Sequence, residues 1–131
     1  MILKNDIVEQ WDNMVYDIKR QRVDKVKEDI KFIKNFNPNA TFRRNGESLL
    51  HVCAEFNCRP LFEWLVSDHK GDPFKQNEAG ETPLIIAARE GKFDIVKMFI
   101  ENYSSWGDYQ IDHKMADGWT AMQYATMNGF K

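Results

Sequence analysis

Residues 80–100 read GETPLIIAAREGKFDIVKMFI, and this stretch spells two short helices joined by a glycine turn. Thr82 can cap a helix through its hydroxyl, and Pro83 suits the first helical position, where a missing N–H leaves nothing unpaired. Leu84 and Ile85 give the helix apolar surface, while Ala87 and Ala88 are small enough to let neighbouring helices come close. Gly91 supplies the left-handed residue that ends it. Phe93, Val96 and Ile100, with Ile95 and Phe99 beside them, then follow the offsets of an amphipathic helix. Such a face has to be buried against something.

The same columns recur on either side. Thirty-four positions before Thr82, Ser48 opens SLLHVCAEFN, with His51, the small pair Cys53 and Ala54, and Asn57 where Gly91 stood. Leu61, Phe62, Leu65 and Val66 match the second helix. Thirty-eight positions after Thr82, Thr120 opens TAMQYATMNG, with Gly118 before it, Ala125 in a small-residue column and Gly129 closing the helix. A degenerate copy fits the N-terminus: Trp11, Met14, Val15 and Ile18 line a first helix, and Val23, Val26, Ile30 and Ile33 a second.

These columns resemble the ankyrin repeat, whose unit of about 33 residues builds stacked solenoids that bind other macromolecules. The fold expected is therefore all-α, a solenoid of helix-turn-helix units with short hairpin-like fingers. Its expected divisions are a helical capping repeat over 1–44, then repeats over 45–76, 77–114 and a partial one over 115–131. The N-terminal copy lacks the glycine and alanine signature, as terminal capping repeats do.

A chain of 131 residues, 43% of them hydrophobic, suits one domain with a modest linear core. The opening MILKNDIVEQW meets Lys4, Asn5 and Asp6 too early for a signal peptide, and no 18-residue apolar run occurs. No direct membrane insertion is expected, and the location expected is intracellular, cytoplasmic in preference to nuclear. Cys53 and Cys58 both fall in one helical hairpin, where reduced thiols fit such a compartment.

Charge is uneven along the chain. Residues 1–44 carry ten Lys or Arg against seven Asp or Glu, a balance of +3, and residues 45–131 carry eight against thirteen, a balance of −5. Lys19, Arg20, Arg22, Lys25, Lys27, Lys31 and Lys34 make a basic helix face. Asp24, Glu28 and Asp29 are interspersed and can pair with it, as Lys25 with Asp29. Without aromatic stacking platforms or a domain-wide positive charge, a solvated face is favoured and no specific nucleic acid is expected as a partner.

No phosphate-cradling loop, no H-E-x-x-H, no G-x-S-x-G and no dinucleotide fingerprint is present. His51 and Cys53 invite a base and nucleophile reading, yet they stand in the family's own His and small-residue columns, where the resemblance implies a structural hydrogen bond and packing. Cys53, Cys58, His51 and His69 lack the paired knuckles of a zinc site. The expectation is a chain that is not an enzyme, with no catalytic, cofactor-binding or metal site and no cofactor.

The resemblance implies a recognition face made by the fingers and the exposed side of the first helices. Carried over column by column, the finger residues are Arg44, Asn45 and Glu47, then Glu78, Ala79 and Glu81, then Ala116, Asp117 and Trp119. The helix ends add Glu55 and Phe56, Arg89 and Glu90, and Met127 and Asn128. Phe56 and Trp119 are the expected anchors, since a few aromatic side chains commonly dominate an interface. The longer spacing to Thr120 inserts Tyr103, Trp106 and Tyr109, either as a further partner contact or as a local satellite core. The sequence ends two residues after Gly129, where another helix is due, so a longer repeat protein is favoured over a partner that covers the last helix. The function expected is a protein-protein interaction module for another protein. The alternative is an ankyrin segment that acts as a structural subunit or positioning domain in a larger complex, multidomain enzyme or channel.

Overall fold

The computed structural model describes residues 4–42 and 45–102, with side chains from Gln10 onward. Six helices occur among them: α1 (Lys4–Lys19), α2 (Val23–Lys31), α3 (Leu49–Glu55), α4 (Arg59–His69), α5 (Pro83–Glu90) and α6 (Phe93–Glu101). The described residues contain no strand, as the all-α expectation requires. Each odd helix pairs with the even helix that follows it. The pairs stack in two rows, α1 on α3 on α5 and α2 on α4 on α6.

Local chemistry sets the helix starts. Thr82 Oγ1 accepts the Ile85 N–H at 3.2 Å, with Pro83 in the first turn behind it. Pro60 holds the matching place in α4. At Ser48 the backbone N–H donates to His51 Nδ1 at 3.1 Å, a cap closed from the third helical residue.

One turn is built three times. After α1, the Arg22 N–H donates to Asp17 O at 2.8 Å and the Gln21 N–H to Ile18 O at 2.9 Å, with Gln21 at φ 61°. After α3, the Cys58 N–H reaches Cys53 O at 2.8 Å and the Asn57 N–H reaches Ala54 O, with Asn57 at φ 58°. After α5, the Lys92 N–H reaches Ala87 O at 2.8 Å and Gly91 takes φ 72°. This nested pair of bonds absorbs carbonyls that the helix end leaves unpaired and reverses the chain into the next helix.

The core runs along the stack. Leu49 to Ala54 are all buried, so α3 is enclosed on every side, as are Leu84 to Ala88 of α5. Leu61, Phe62 and Leu65 of α4 and Ile95, Met98 and Phe99 of α6 close it from the other row. Phe62 and Phe99 meet edge to face at 5.5 Å, and Phe74 joins Phe99 at 5.3 Å. At the N-terminal end, Met14, Ile18, Val26 and Ile30 are buried as the periodicity predicts.

Two expectations about helix faces need correction. Ile95, Val96, Met98 and Phe99 form the buried face of α6, which turns Phe93 and Ile100 outward to 51% and 56% exposure. At the N-terminal end, α2 stops at Lys31, short of Ile33. There the Ile33 N–H bonds to Ile30 O, tightening the last turn, and Asn35 enters the left-handed region.

Candidate partner-binding face

The fingers are hairpin-like turns built on side-chain chemistry. Asn77 Oδ1 accepts the backbone N–H of both Ala79 and Glu81 at 2.9 Å, while the Gly80 N–H bonds to Asn77 O at 3.0 Å. The Asn77 N–H donates to Glu81 O at 2.9 Å, closing the loop. An asparagine whose side chain satisfies two amides of the loop fixes such a turn without any strand. The finger before it is joined at the Phe42 N–H to Glu47 O, 3.0 Å, and the Glu78 N–H donates to Asn45 O at 2.9 Å. Adjacent fingers are therefore tied backbone to backbone.

Glu78 and Asn45 are exposed and Ala79 and Glu47 partly so. Glu81 is not on this open edge: it is buried at 5% exposure, its carboxylate held by Asn77 Nδ2 at 2.9 Å and by the Arg89 guanidinium. A carboxylate enters an interior only when its charge is matched and hydrogen-bonded, and the two neighbours supply both. Arg89, expected at the helix end, is accordingly committed to Glu81 on one side and to Glu90 at 3.4 Å on the other. Glu90 itself is exposed.

Glu55 and Phe56 lie where α3 ends, both partly exposed. The Phe56 ring packs against the core with the Lys19 ammonium 6.0 Å from its centre, and the Phe56 carbonyl accepts Gln21 Nε2 at 2.7 Å. Asn45, Glu47, Glu55, Phe56, Glu78, Ala79, Arg89 and Glu90 are the candidates the structure places at fingers or first-row helix ends. Arg44, Tyr103, Trp106, Tyr109, Asp117, Trp119 and Met127 lie outside the described residues, as do the 103–111 loop and the partial repeat over 115–131.

His51 is bonded on both ring nitrogens within the fold. His51 Nδ1 accepts from Ser48, and His51 Nε2 meets the Glu81 carbonyl at 2.9 Å, which requires the proton on Nε2. The ring thus links one repeat to the next. Burial above all holds its pKa below the ordinary histidine value, so the neutral form is favoured inside the fold. A parallel link is made by Asn57, whose Oδ1 accepts the Ile95 N–H at 3.3 Å and whose Nδ2 donates to Asp94 at 3.2 Å.

On the basic α2 face, Lys25 pairs with Asp29 at 3.1 Å as the spacing predicts, and also with Asp17 at 2.9 Å. Lys31 pairs with Glu28 at 2.9 Å. Arg20 lies over Tyr16 and Lys27 over Trp64. No helix among the described residues is long and apolar enough to cross a membrane, and none of their His, Cys, Asp and Glu side chains cluster as a metal site.

Sequence reading missed Asn77, the residue that shapes the finger. Its signal was present in N-E-A-G, an asparagine three residues ahead of a turn glycine. The aromatic seam of Trp11 on Phe42 at 4.5 Å and Phe36 at 5.9 Å was also missed, because Phe36 and Phe42 lie in the segment after α2 with no period to betray them.

A family model described as "Ankyrin repeats (3 copies)" matches residues 50–131. Over 84 residues, 64% of its length, the chain is 31% identical to "Glycerophosphocholine phosphodiesterase GDE1" of Candida albicans. The matched stretch amounts to 7% of that protein's length.

Proposed function

The chain belongs to the ankyrin-repeat family, and on that premise we propose that it is a non-catalytic, cofactor-free module that binds another protein through its fingers and first-row helix ends. The observation that carries the reading is the Asn77 turn. Four bonds fix the finger, and a fifth ties it to Asn45, so its exposed backbone and Glu78 are arranged before any partner arrives. Surface held rigid in its bound form loses little conformational entropy on association. A solvated loop with no such task would gain nothing from being wired this way.

The contact residues proposed are Asn45, Glu47, Glu55, Phe56, Glu78, Ala79 and Glu90, with Arg44, Tyr103, Trp106, Tyr109, Asp117, Trp119 and Met127 from outside the described residues. Glu81 supports them from beneath, and Arg89 bridges interior and surface. The described carboxylates favour a partner whose contacting segment is neutral to basic. Residues 1–44 serve as the helical cap, ahead of repeats over 45–76 and 77–114 and a partial repeat over 115–131. Two buried free thiols fit an intracellular setting, cytoplasmic in preference to nuclear.

A second reading has one observation behind it. The similar stretch in the Candida albicans phosphodiesterase is a small part of a much larger protein, which favours repeats that position other parts of a longer chain. The test is capture of the native partner by the wild-type chain and by Phe56→Ala combined with Trp119→Ala. The module reading expects at least a tenfold loss of capture, of the order expected of one or two anchor residues, with helicity by circular dichroism unchanged. Undiminished capture removes both residues from the site.

A further inference from the structure

The turn between α3 and α4 brings together two groups that the binding role does not use. In its nested hydrogen-bond pattern, the third-last helical residue and the second residue beyond the cap characteristically touch side chain to side chain. After α1 those positions hold Asp17 and Arg22, which form an ion pair at 3.6 Å. After α5 they hold Ala87 and Lys92. After α3 they hold Cys53 and Cys58, both free and both fully buried, with the Cys58 N–H donating to Cys53 O at 2.8 Å.

The two sulfurs differ in surroundings. Cys58 is the N-cap of α4, at the positive end of the helix dipole, a setting that favours thiolate. Its pKa lies below the usual thiol value, first because Cys53 hydrogen-bonds to it and next because the Leu61 backbone amide faces it. Cys53 lies inside α3, and burial first, with the neighbouring Cys58 adding to it, pushes its thiol well up. One sulfur is therefore disposed to attack and its neighbour to follow.

We infer that Cys53 and Cys58 form a modification site, a dithiol that a small hydroperoxide converts reversibly to a disulfide across the α3–α4 turn. The Cys58 thiolate attacks one peroxide oxygen and the O–O bond breaks. Hydroxide leaves and takes up the proton released from Cys58, giving water and a sulfenic acid. The Cys53 sulfur then attacks the Cys58 sulfur and loses its proton as the S–O bond breaks, and a second water departs. Two electrons pass from the thiols to the peroxide, and an added dithiol reverses the exchange. Full burial selects the oxidant: a molecule the size of water reaches the pair through brief opening of the Phe56–Asn57 turn, whereas a bulky disulfide such as oxidised glutathione does not. The resulting bond would enclose Ala54, Glu55, Phe56 and Asn57.

The experiment treats the folded chain with hydrogen peroxide and maps the peptides by mass spectrometry, with oxidised glutathione in a parallel arm. The expected result is a Cys53–Cys58 link, removed by dithiothreitol and formed at least tenfold more slowly with oxidised glutathione. Two variants keep the fold: Cys58→Ser retains an N-cap, and Cys53→Ala places there the residue that occupies the same position in the next repeat. In Cys53→Ala, Cys58 should stall as a sulfenic acid trapped by dimedone; in Cys58→Ser, peroxide consumption by Cys53 should fall about tenfold or more. A link that forms only in urea, or no link in the folded wild-type chain, overturns the inference.

Discussion

The α1–α2 hairpin and the α3–α4 hairpin make the same turn and fill it differently. After α1 the left-handed position is Gln21, the contact across the turn is a surface ion pair, and the helix leans on scattered aromatics at Trp11, Phe36 and Phe42. After α3 the left-handed position is Asn57, which reaches into α6, and His51 reaches back to the next finger. The difference teaches what the repeat signature records. Backbone geometry is common to both hairpins, whereas the signature residues appear where a side chain or a close approach joins one repeat to its successor. From those columns the first hairpin passes an exposed bond, Gln21 Nε2 to the Phe56 carbonyl at 2.7 Å, in place of the buried His51 link, and its glycine and alanine signature is missing.

Five substitutions and one change of pH test that contrast. The largest effect is expected in the shared core: Phe99→Ala should cost about 3–5 kcal/mol in urea unfolding, since the ring contacts both Phe62 and Phe74. Trp11→Ala at the half-exposed N-terminal seam should cost visibly less, and an equal loss would end the distinction between the two regions. Next comes His51→Ala, which leaves the buried Ser48 amide unpaired and takes from the Glu81 carbonyl one of its two bonds, and should cost about 2–3 kcal/mol.

A smaller and opposite pair follows. Asn57→Gly relaxes a left-handed backbone yet removes the bonds to Ile95 and Asp94, for a net loss of about 1 kcal/mol, whereas Gln21→Gly removes only the exposed bond to the Phe56 carbonyl and should give a net gain of less than about 1 kcal/mol. The same sign at both sites, read from thermal melts, would show that the turns are not distinguished as described.

The smallest effect is pH dependence. The folded pKa of His51 is lowered, so around pH 6 the unfolded chain binds more protons than the native one at this site. Stability from this residue is full above its ordinary pKa of about 6.5 and falls as pH drops below it towards the folded value. His51→Ala should flatten that part of the stability profile, and an unchanged slope would assign it to other groups.

Much of this was legible beforehand for reasons the residues make plain. Thr82, Pro83, Ala87, Ala88 and Gly91 each answer a local need, and local needs are written in sequence. The burial of Glu81 was not, because a glutamate in a turn looks solvent-bound until Asn77 and Arg89 are brought beside it by folding. Phe93 and Ile100 were misassigned because a helix with Phe, Ile, Val, Met, Phe and Ile admits two apolar faces, and packing on the neighbouring row decides between them. The finger edge could be placed by column, but the tie from Glu78 to Asn45 depends on how far one repeat rises above the next.

On the proposed function, the fingers and first-row helix ends are the face presented to a protein partner. Carboxylate-directed cross-linking of the native complex, followed by mass spectrometry, tests it most directly. Links concentrated at Glu47, Glu55, Glu78 and Glu90 are the expected result, and links concentrated instead on the other row, at Glu28, Glu63, Asp68 and Glu101, would contradict it.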